Sequence, residues 1–484
     1  MSLAFKSKPP TLFMNRYQLT ITVVSIALAV SLAILIINIT SISSKNSITV
    51  TSVITKTITY TPRYVNTSSS NSSQFEYQFM LPYVIQSIPE ESNGYWRSTV
   101  MFEENPQHNY VIPTRTGFFM VNVTWGVVVP PAIYGDLLLV TTSGPFNSSS
   151  SSFPLNIGSV YAINLTNGAI VWFKVFPNQI MTQPIVFNGI MIVGLGNSVL
   201  TPTYRGTGTN YLAAVNVTNG EVLWNYTTLG EDMPTPVFYR GLVIEADGSG
   251  EAFALNATTG KPLWVDELGT YDSMSSLLLV NNIVYFGTST TFWAINATTG
   301  SVIWSDYLYG NYQNIGGLDD SSPAYYNGIV VTSFTLHNPN DTMSVMLVAF
   351  NASNGRVLWI LNEGLSKITP NLEAPPVVIY DGLVIHDSPV GVLYVVNFTN
   401  GKVLWTFKTG LTLSNAVIVL KKFIVIQNRS GELFILTLNG NLVKEVYTPV
   451  VPGPGNLLAT GNSLILVGVN GIVESLPLFT LLHS

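Results

Sequence analysis

Six times the chain repeats one nine-residue pattern: Asn164-Leu-Thr166-Asn-Gly168-x3-Trp172, Asn216-Val-Thr218-Asn-Gly220-x3-Trp224, Asn256-Ala-Thr258-Thr-Gly260-x3-Trp264, and the matching stretches Asn296 to Trp304, Asn351 to Trp359 and Asn397 to Trp405. The tryptophans recur every 40 to 55 residues, the period of four-stranded antiparallel sheets set around a common axis. Short apolar runs such as 189–193, 241–244 and 382–385 are bounded by Gly, Asn and Pro, as strands separated by tight turns are. Asn bonds its own downstream backbone and Gly accepts positive φ, so Asn-x-x-x-Gly reads as the hairpin between the third and fourth strands of a unit. Each Trp then opens the fourth, outer strand, where it can pack on the next unit. These residues predict an all-β propeller.

The repeat resembles that of the quinoprotein-like propellers with a Trp-docking motif, usually written Ala-x-Asp-x-x-Thr-Gly-x3-Trp. Trp96 followed by Asn105-Pro106-Gln107-His108 is similar to that family's opening signature. The resemblance runs from about residue 95 to the C-terminus. It specifies the fold and says little of function, because one fold hosts many activities. Counting outer strands gives Trp125, the six repeat tryptophans (Trp172, Trp224, Trp264, Trp304, Trp359, Trp405) and a degenerate copy, Leu438-Asn-Gly440-Asn-Leu-Val-Lys444. Eight blades follow, or seven if 118–125 is not a strand. Residues 456–476 supply the first strands of one further blade and 118–125 a lone outer strand, so the two ends are expected to share a blade and leave no free sheet edge.

Ahead of the propeller, residues 19–37 carry no charge and would span about 28 Å as a helix, close to the hydrocarbon thickness of a bilayer. Lys6, Lys8 and Arg16 precede them without an acid, which places the N-terminus in the cytoplasm and all that follows outside the cell. The expected organisation is therefore a cytoplasmic segment (1–18), an uncleaved membrane anchor (19–37), with a cleaved signal peptide as the alternative, a Ser/Thr/Asn-rich stalk and linker (38–94) and the propeller (95–484). Charged residues are 10% of the chain, against about a quarter in ordinary soluble proteins. Twenty Lys and Arg against 26 Asp and Glu leave no basic surplus for nucleic acid. So few carboxylates suit a strongly acidic exterior, and equally a surface whose solubility comes from sugars. There is no cysteine, so neither disulfides nor thiolate chemistry enters.

Acceptors for N-linked sugar, Asn-x-Ser/Thr, occur along the chain, and none precedes the anchor. All six repeat turns place Ser or Thr two positions after Asn164, Asn216, Asn256, Asn296, Asn351 and Asn397, which the turn itself does not require. Glycosylation would account for it. Acids gather in a different set of loops. Glu231-Asp232, Asp272, Asp319-Asp320 and Glu373 stand between an outer strand and the next inner strand, and Asp247 and His386-Asp387 are expected in loops between second and third strands. In a propeller both kinds of loop converge on the axial funnel. Such a group can bind a cation, calcium among them, or act as general acid and base.

Two functions follow. One is a membrane-anchored, N-glycosylated surface protein that binds envelope partners. The other, implied by the resemblance, is an extracellular hydrolase similar to tetrathionate hydrolase, with Asp319 and Asp320 as catalytic carboxylates. A quinone-dependent dehydrogenase fits less well, since the family's alcohol dehydrogenases stack the cofactor on a vicinal disulfide beside calcium and this chain lacks the cysteines. His108 belongs to the opening segment. His337 and His483 have no companions at metal-ligand spacing, and no zinc motif, phosphate loop or Ser/His/Asp set is present in the sequence.

Overall fold

The computed structural model describes residues 111–144, 157–197, 210–311, 315–367, 375–410 and 417–482. The expected anchor, the stalk, the opening segment with Trp96 and His108, Asn147 and Glu373 lie outside them. Among the described residues no helix is long and apolar enough to cross a membrane.

Eight antiparallel sheets make up the fold. Seven are built from consecutive strands, in blades spanning 132–176, 185–227, 237–267, 278–307, 315–367, 377–408 and 418–447 (blades 1 to 7). In each, the inner strands are buried on both sides, as Leu242–Ala246 and Glu251–Asn256 are, and read as continuous apolar runs. The outer strand alternates between half-buried and exposed, as Val222–Thr227 does, because only one of its faces meets a neighbouring blade. Blade 5 departs from the pattern. Its strands Ile329–His337, Thr342–Asn351 and Val357–Lys367 are long, and the pair Ile315–Gly316 adds a fifth strand.

Blade 8 closes the ring from both ends of the chain. Pro452–Ala459, Ser463–Gly468 and Ile472–Pro477 supply three strands, and Phe119–Asn122 completes the sheet, Phe119 lying opposite Ser475 and Asn122 opposite Ile472. The shared blade is as expected, but its outer strand is shorter and Trp125 is not part of it. Trp125 sits beyond the strand at φ 68°. Phe119 takes the tryptophan's place, its ring lying where a Cβ on Gly168 of blade 1 would come within 2.7 Å.

One contact repeats around the ring. The indole N–H of each repeat tryptophan donates to a backbone carbonyl of the next blade: Trp172 to Val217, Trp224 to Ala257, Trp264 to Ala297, Trp304 to Ala352, Trp359 to Phe398 and Trp405 to Leu438, at 2.8 to 3.3 Å. A buried indole keeps its hydrogen bond this way. Lys444 stands where a seventh tryptophan would, and its Nζ donates to the Thr480 carbonyl of the C-terminal helical turn Leu478–Leu482.

The two faces of the ring are distinct. First-to-second and third-to-fourth strand turns share one face, since the backbone N–H groups of Val217, Ala257 and Phe398 donate to the carbonyls of Gly189, Gly241 and Gly382. The opposite face carries the loops between blades. There, hydroxyls link successive blades: Gln183 N–H to Thr235 Oγ1, Thr235 N–H to Ser276 Oγ, and Ser276 N–H to Ser322 Oγ, at 3.1 to 3.2 Å. These bonds hold the loops that carry the acids.

Candidate functional site

Glu231 and Asp232 lie in the loop from blade 2 to blade 3, Asp272 in the loop from blade 3 to blade 4, and Asp319 and Asp320 in the loop from blade 4 to blade 5. Backbone bonds draw these loops together. Gly248 N–H donates to the Glu231 carbonyl, Asp272 N–H to the Asp247 carbonyl, and both Met274 and Ser275 N–H to the Asp319 carbonyl, at 2.6 to 3.0 Å. The first loop passes so close to blade 2 that a Cβ on Gly194 would lie 1.9 Å from the Asp232 carbonyl oxygen. Glycine is what lets backbone approach backbone there.

Asp247 caps its own turn. Its Oδ1 accepts from Ser249 N–H, Ser249 Oγ and Glu251 N–H at 2.9, 2.6 and 3.1 Å. Asp232 Oδ2 accepts from Thr228 Oγ1 at 2.5 Å, Glu231 Oε1 from Ser273 Oγ at 2.8 Å, and Asp272 Oδ1 from Ser275 N–H at 3.2 Å. Glu245, on the second strand of blade 3 and fully buried, was not singled out from the sequence. It is the one charged residue in an otherwise apolar strand, which is the signal the sequence offered. Among the described residues, Asp232 Oδ1, Asp247 Oδ2, Asp272 Oδ2 and both oxygens of Glu245 are buried without a hydrogen bond.

Removing carboxyls from water disfavours their ionised form, and neighbouring acids add to the effect. Burial, with Asp319 and Asp247 adding and the Ser273 hydroxyl partly opposing, pushes Glu231 up to about 8. Asp232 and Glu245 are held well above the usual carboxylate range, first by burial and then by each other's neighbours, Asp247 foremost for Asp232 and Asp232 foremost for Glu245. Asp272 follows by burial and then by Asp319. Asp247 is raised by burial, against hydrogen bonds from Ser249, Glu251 and Gly230. These loops therefore bury a cluster of acids beneath their mouth, held as proton-keeping carboxyls well above the usual range, with partly buried Asp319 and Asp320 beside it.

His386 and Asp387 stand on blade 6. Contrary to expectation they lie within the second strand of blade 6, Leu383–Ser388, fully buried, because that strand runs three residues further than its apolar stretch. His386 Nδ1 faces the Glu363 carboxylate at 2.9 Å and Nε2 faces the Pro375 carbonyl at 3.2 Å. Both partners accept, so the ring is fixed in orientation by its neighbours. Glu363, from the outer strand of blade 5, also went unremarked in the sequence. Glu474 in blade 8 is a further buried acid, pushed up to about 7 by burial alone. Among the described residues no three His, Cys, Asp or Glu side chains are arranged to hold a metal ion.

Sheet order, indole docking and converging loops together define an eight-bladed propeller of the quinoprotein-like type with a cluster of buried acids beneath its inter-blade loops. The chain belongs to the PQQ_2 family, described as outer membrane protein assembly factor BamB, whose profile matches residues 93–278 and 208–444. It is 27% identical over 346 residues to tetrathionate hydrolase of Acidithiobacillus ferrooxidans, covering 60% of this chain and 66% of that one. It is 29% identical over 195 residues to tetrathionate hydrolase of Acidianus ambivalens, covering 30% and 36%. The matches thus span less than two thirds of either relative. The crystal structure of BamB from Moraxella catarrhalis superposes with a TM-score of 0.54 at 16% identity over 74% of this chain and 98% of that one, a likeness of fold.

Proposed function

We propose that the chain is a hydrolase of sulfur oxyanions, similar to the tetrathionate hydrolases, and that it works in acid on the outer side of a membrane. The observation that carries this reading is the cluster of buried acids beneath these loops, above all Glu231. A buried carboxyl that keeps its proton to about pH 8, with water-reached carboxyls one loop away, supplies an acid and a base to one site. Asp319 or Asp320 takes a proton from water as its oxygen bonds an inner sulfur of the substrate. The central sulfur–sulfur bond breaks, its electron pair leaves with thiosulfate, and Glu231 supplies the proton that group needs. Arg429 is a cation for the anionic substrate. It lies on the second-to-third strand turn of blade 7, opening on the same face, and its guanidinium makes no hydrogen bond or ion pair among the described residues. The test is turnover of tetrathionate by the purified full chain in acid, read as thiosulfate release. Asp319→Asn and Asp320→Asn are expected to lose activity, and unchanged turnover in both removes the reading.

A second reading, a binding protein of the cell envelope, is favoured by apolar side chains on the outer strands. Phe173, Leu263 and Leu365 are 55%, 59% and 65% exposed, more than a free rim needs. Co-purification of a stoichiometric envelope protein, lost on Phe173→Ser and Leu365→Ser, would support it. The anchor at residues 19–37 accompanies either reading.

A further inference from the structure

We infer that the six repeat-turn asparagines, Asn164, Asn216, Asn256, Asn296, Asn351 and Asn397, are N-glycosylation sites that form a ring of sugar on the face opposite the acid-bearing loops. Every one is held alike. The side-chain Oδ1 accepts the backbone N–H two residues on, at 2.8 to 3.1 Å. Among the described residues none of the six donates through its amide nitrogen. The turn thus engages the oxygen and leaves Nδ2, the atom that sugar would join. The two residues before each turn glycine are exposed in all six.

The hydroxyl two residues after Asn separates a turn requirement from a sugar-acceptor requirement. Thr218, Ser353 and Thr399 donate that hydroxyl to the Asn oxygen at 2.6 to 2.8 Å. Those of Thr166 and Thr258 make no hydrogen bond among the described residues. In blade 1 Asn164 Oδ1 accepts the Thr166 N–H alone, and in blade 3 the hydroxyl that reaches Asn256 Oδ1 comes from Thr259, three residues on, yet Thr stands two residues on in both. An acceptor motif needs it and the fold does not.

Asn428-Arg429-Ser430 is the same motif on the other face, and the structure treats it differently. Asn428 is fully buried, and its Nδ2 donates to Glu432 Oε2 at 2.7 Å. Sugar there would break that bond and open the core. In the reaction itself, Nδ2 bonds the anomeric carbon of an oligosaccharide carried on a lipid phosphate. The carbon–oxygen bond to phosphate breaks, the lipid phosphate leaves with the electron pair, and Nδ2 gives up a proton. The donor and transferase come from the cell's secretory membrane.

The test is glycopeptide mass spectrometry of the full chain isolated from its native membranes. Glycan is expected on the six repeat asparagines, with Asn428 bare. Six bare asparagines, or glycan on Asn428, would overturn the inference. Thr218→Ala serves as the second measurement, because it keeps the backbone bond to Asn216 and so keeps the fold. It is expected to lower the intact mass by one glycan plus the side-chain difference, and a change equal to the side-chain difference alone counts against the proposal.

Discussion

The ring of Trp359 lies against Gly401 of the next blade so closely that a Cβ there would come within 2.7 Å of it, while the same indole donates to the Phe398 carbonyl at 3.0 Å. One glycine thus serves two ends: it takes φ +69°, and it gives the ring a flat seat. Gly401→Ala is expected to destabilise the fold by about 2 to 4 kcal/mol, from left-handed strain plus displacement of the ring. Gly382→Ala, at φ +77° with open space around its Cβ, should cost only the backbone part, about 1 to 2 kcal/mol. Denaturant unfolding of the two variants separates the terms, and equal losses would mean the ring contact contributes nothing.

Ring closure rests on Phe119. It is buried in a cluster shared by blades 8 and 1. Phe119→Ala is expected to cost about 3 to 5 kcal/mol, read as a fall in the unfolding midpoint. Trp125→Phe, outside the strand, should change it little. The reverse order would restore Trp125 as the closing residue.

Stability should fall as pH rises. Glu231 and Glu474 are raised from 4.5 to about 8 and about 7, and Asp232, Glu245, Asp247 and Asp272 move the same way. The folded chain then binds more protons than the unfolded one between the two sets of values. Their stabilisation is complete below about pH 4 and is lost as pH climbs through about 8. Each tenfold change in proton affinity is worth about 1.4 kcal/mol, so the total is several kcal/mol. Thermal unfolding from about pH 3 to about pH 9 should show the highest Tm at the acid end; a Tm rising steadily toward neutrality contradicts the protonated cluster.

Glu231→Gln fixes the neutral form. It should unfold at a higher temperature than the native chain above about pH 8, where the native carboxyl must ionise. If Glu231 is the acid of the proposed hydrolysis, the same variant should lose about 100- to 10,000-fold in turnover. Loss of turnover without the alkaline gain would instead indicate damage to the loop.

Glu363 and His386 are both buried and bonded only 2.9 Å apart. Glu363→Ala leaves the ring facing an empty acceptor position and should cost about 3 to 5 kcal/mol. Glu363→Gln keeps an oxygen toward Nδ1 and should recover part of that loss in chemical denaturation. Equal losses would show that shape, not the hydrogen bond, is what the pair provides.

The sequence by itself determined the repeat, the shared closing blade and the face on which each turn falls, and narrowed the blade count to eight or seven. Those follow from local requirements: Gly where φ must be positive, Asn where a side chain must accept from the backbone, and Trp at one spacing after both. It also marked the acid loops 231–232, 272 and 319–320, because loop position follows from the repeat. Only the tertiary structure decided that Phe119 does the work of a tryptophan, since a seat on Gly168 depends on a partner about 50 residues away. Only it brought Glu245 into the acid cluster and drew His386 out of its expected loop to meet Glu363. A strand shows its acids to the core or to water according to which neighbours cover it and where it ends, and neither is a local property of the chain.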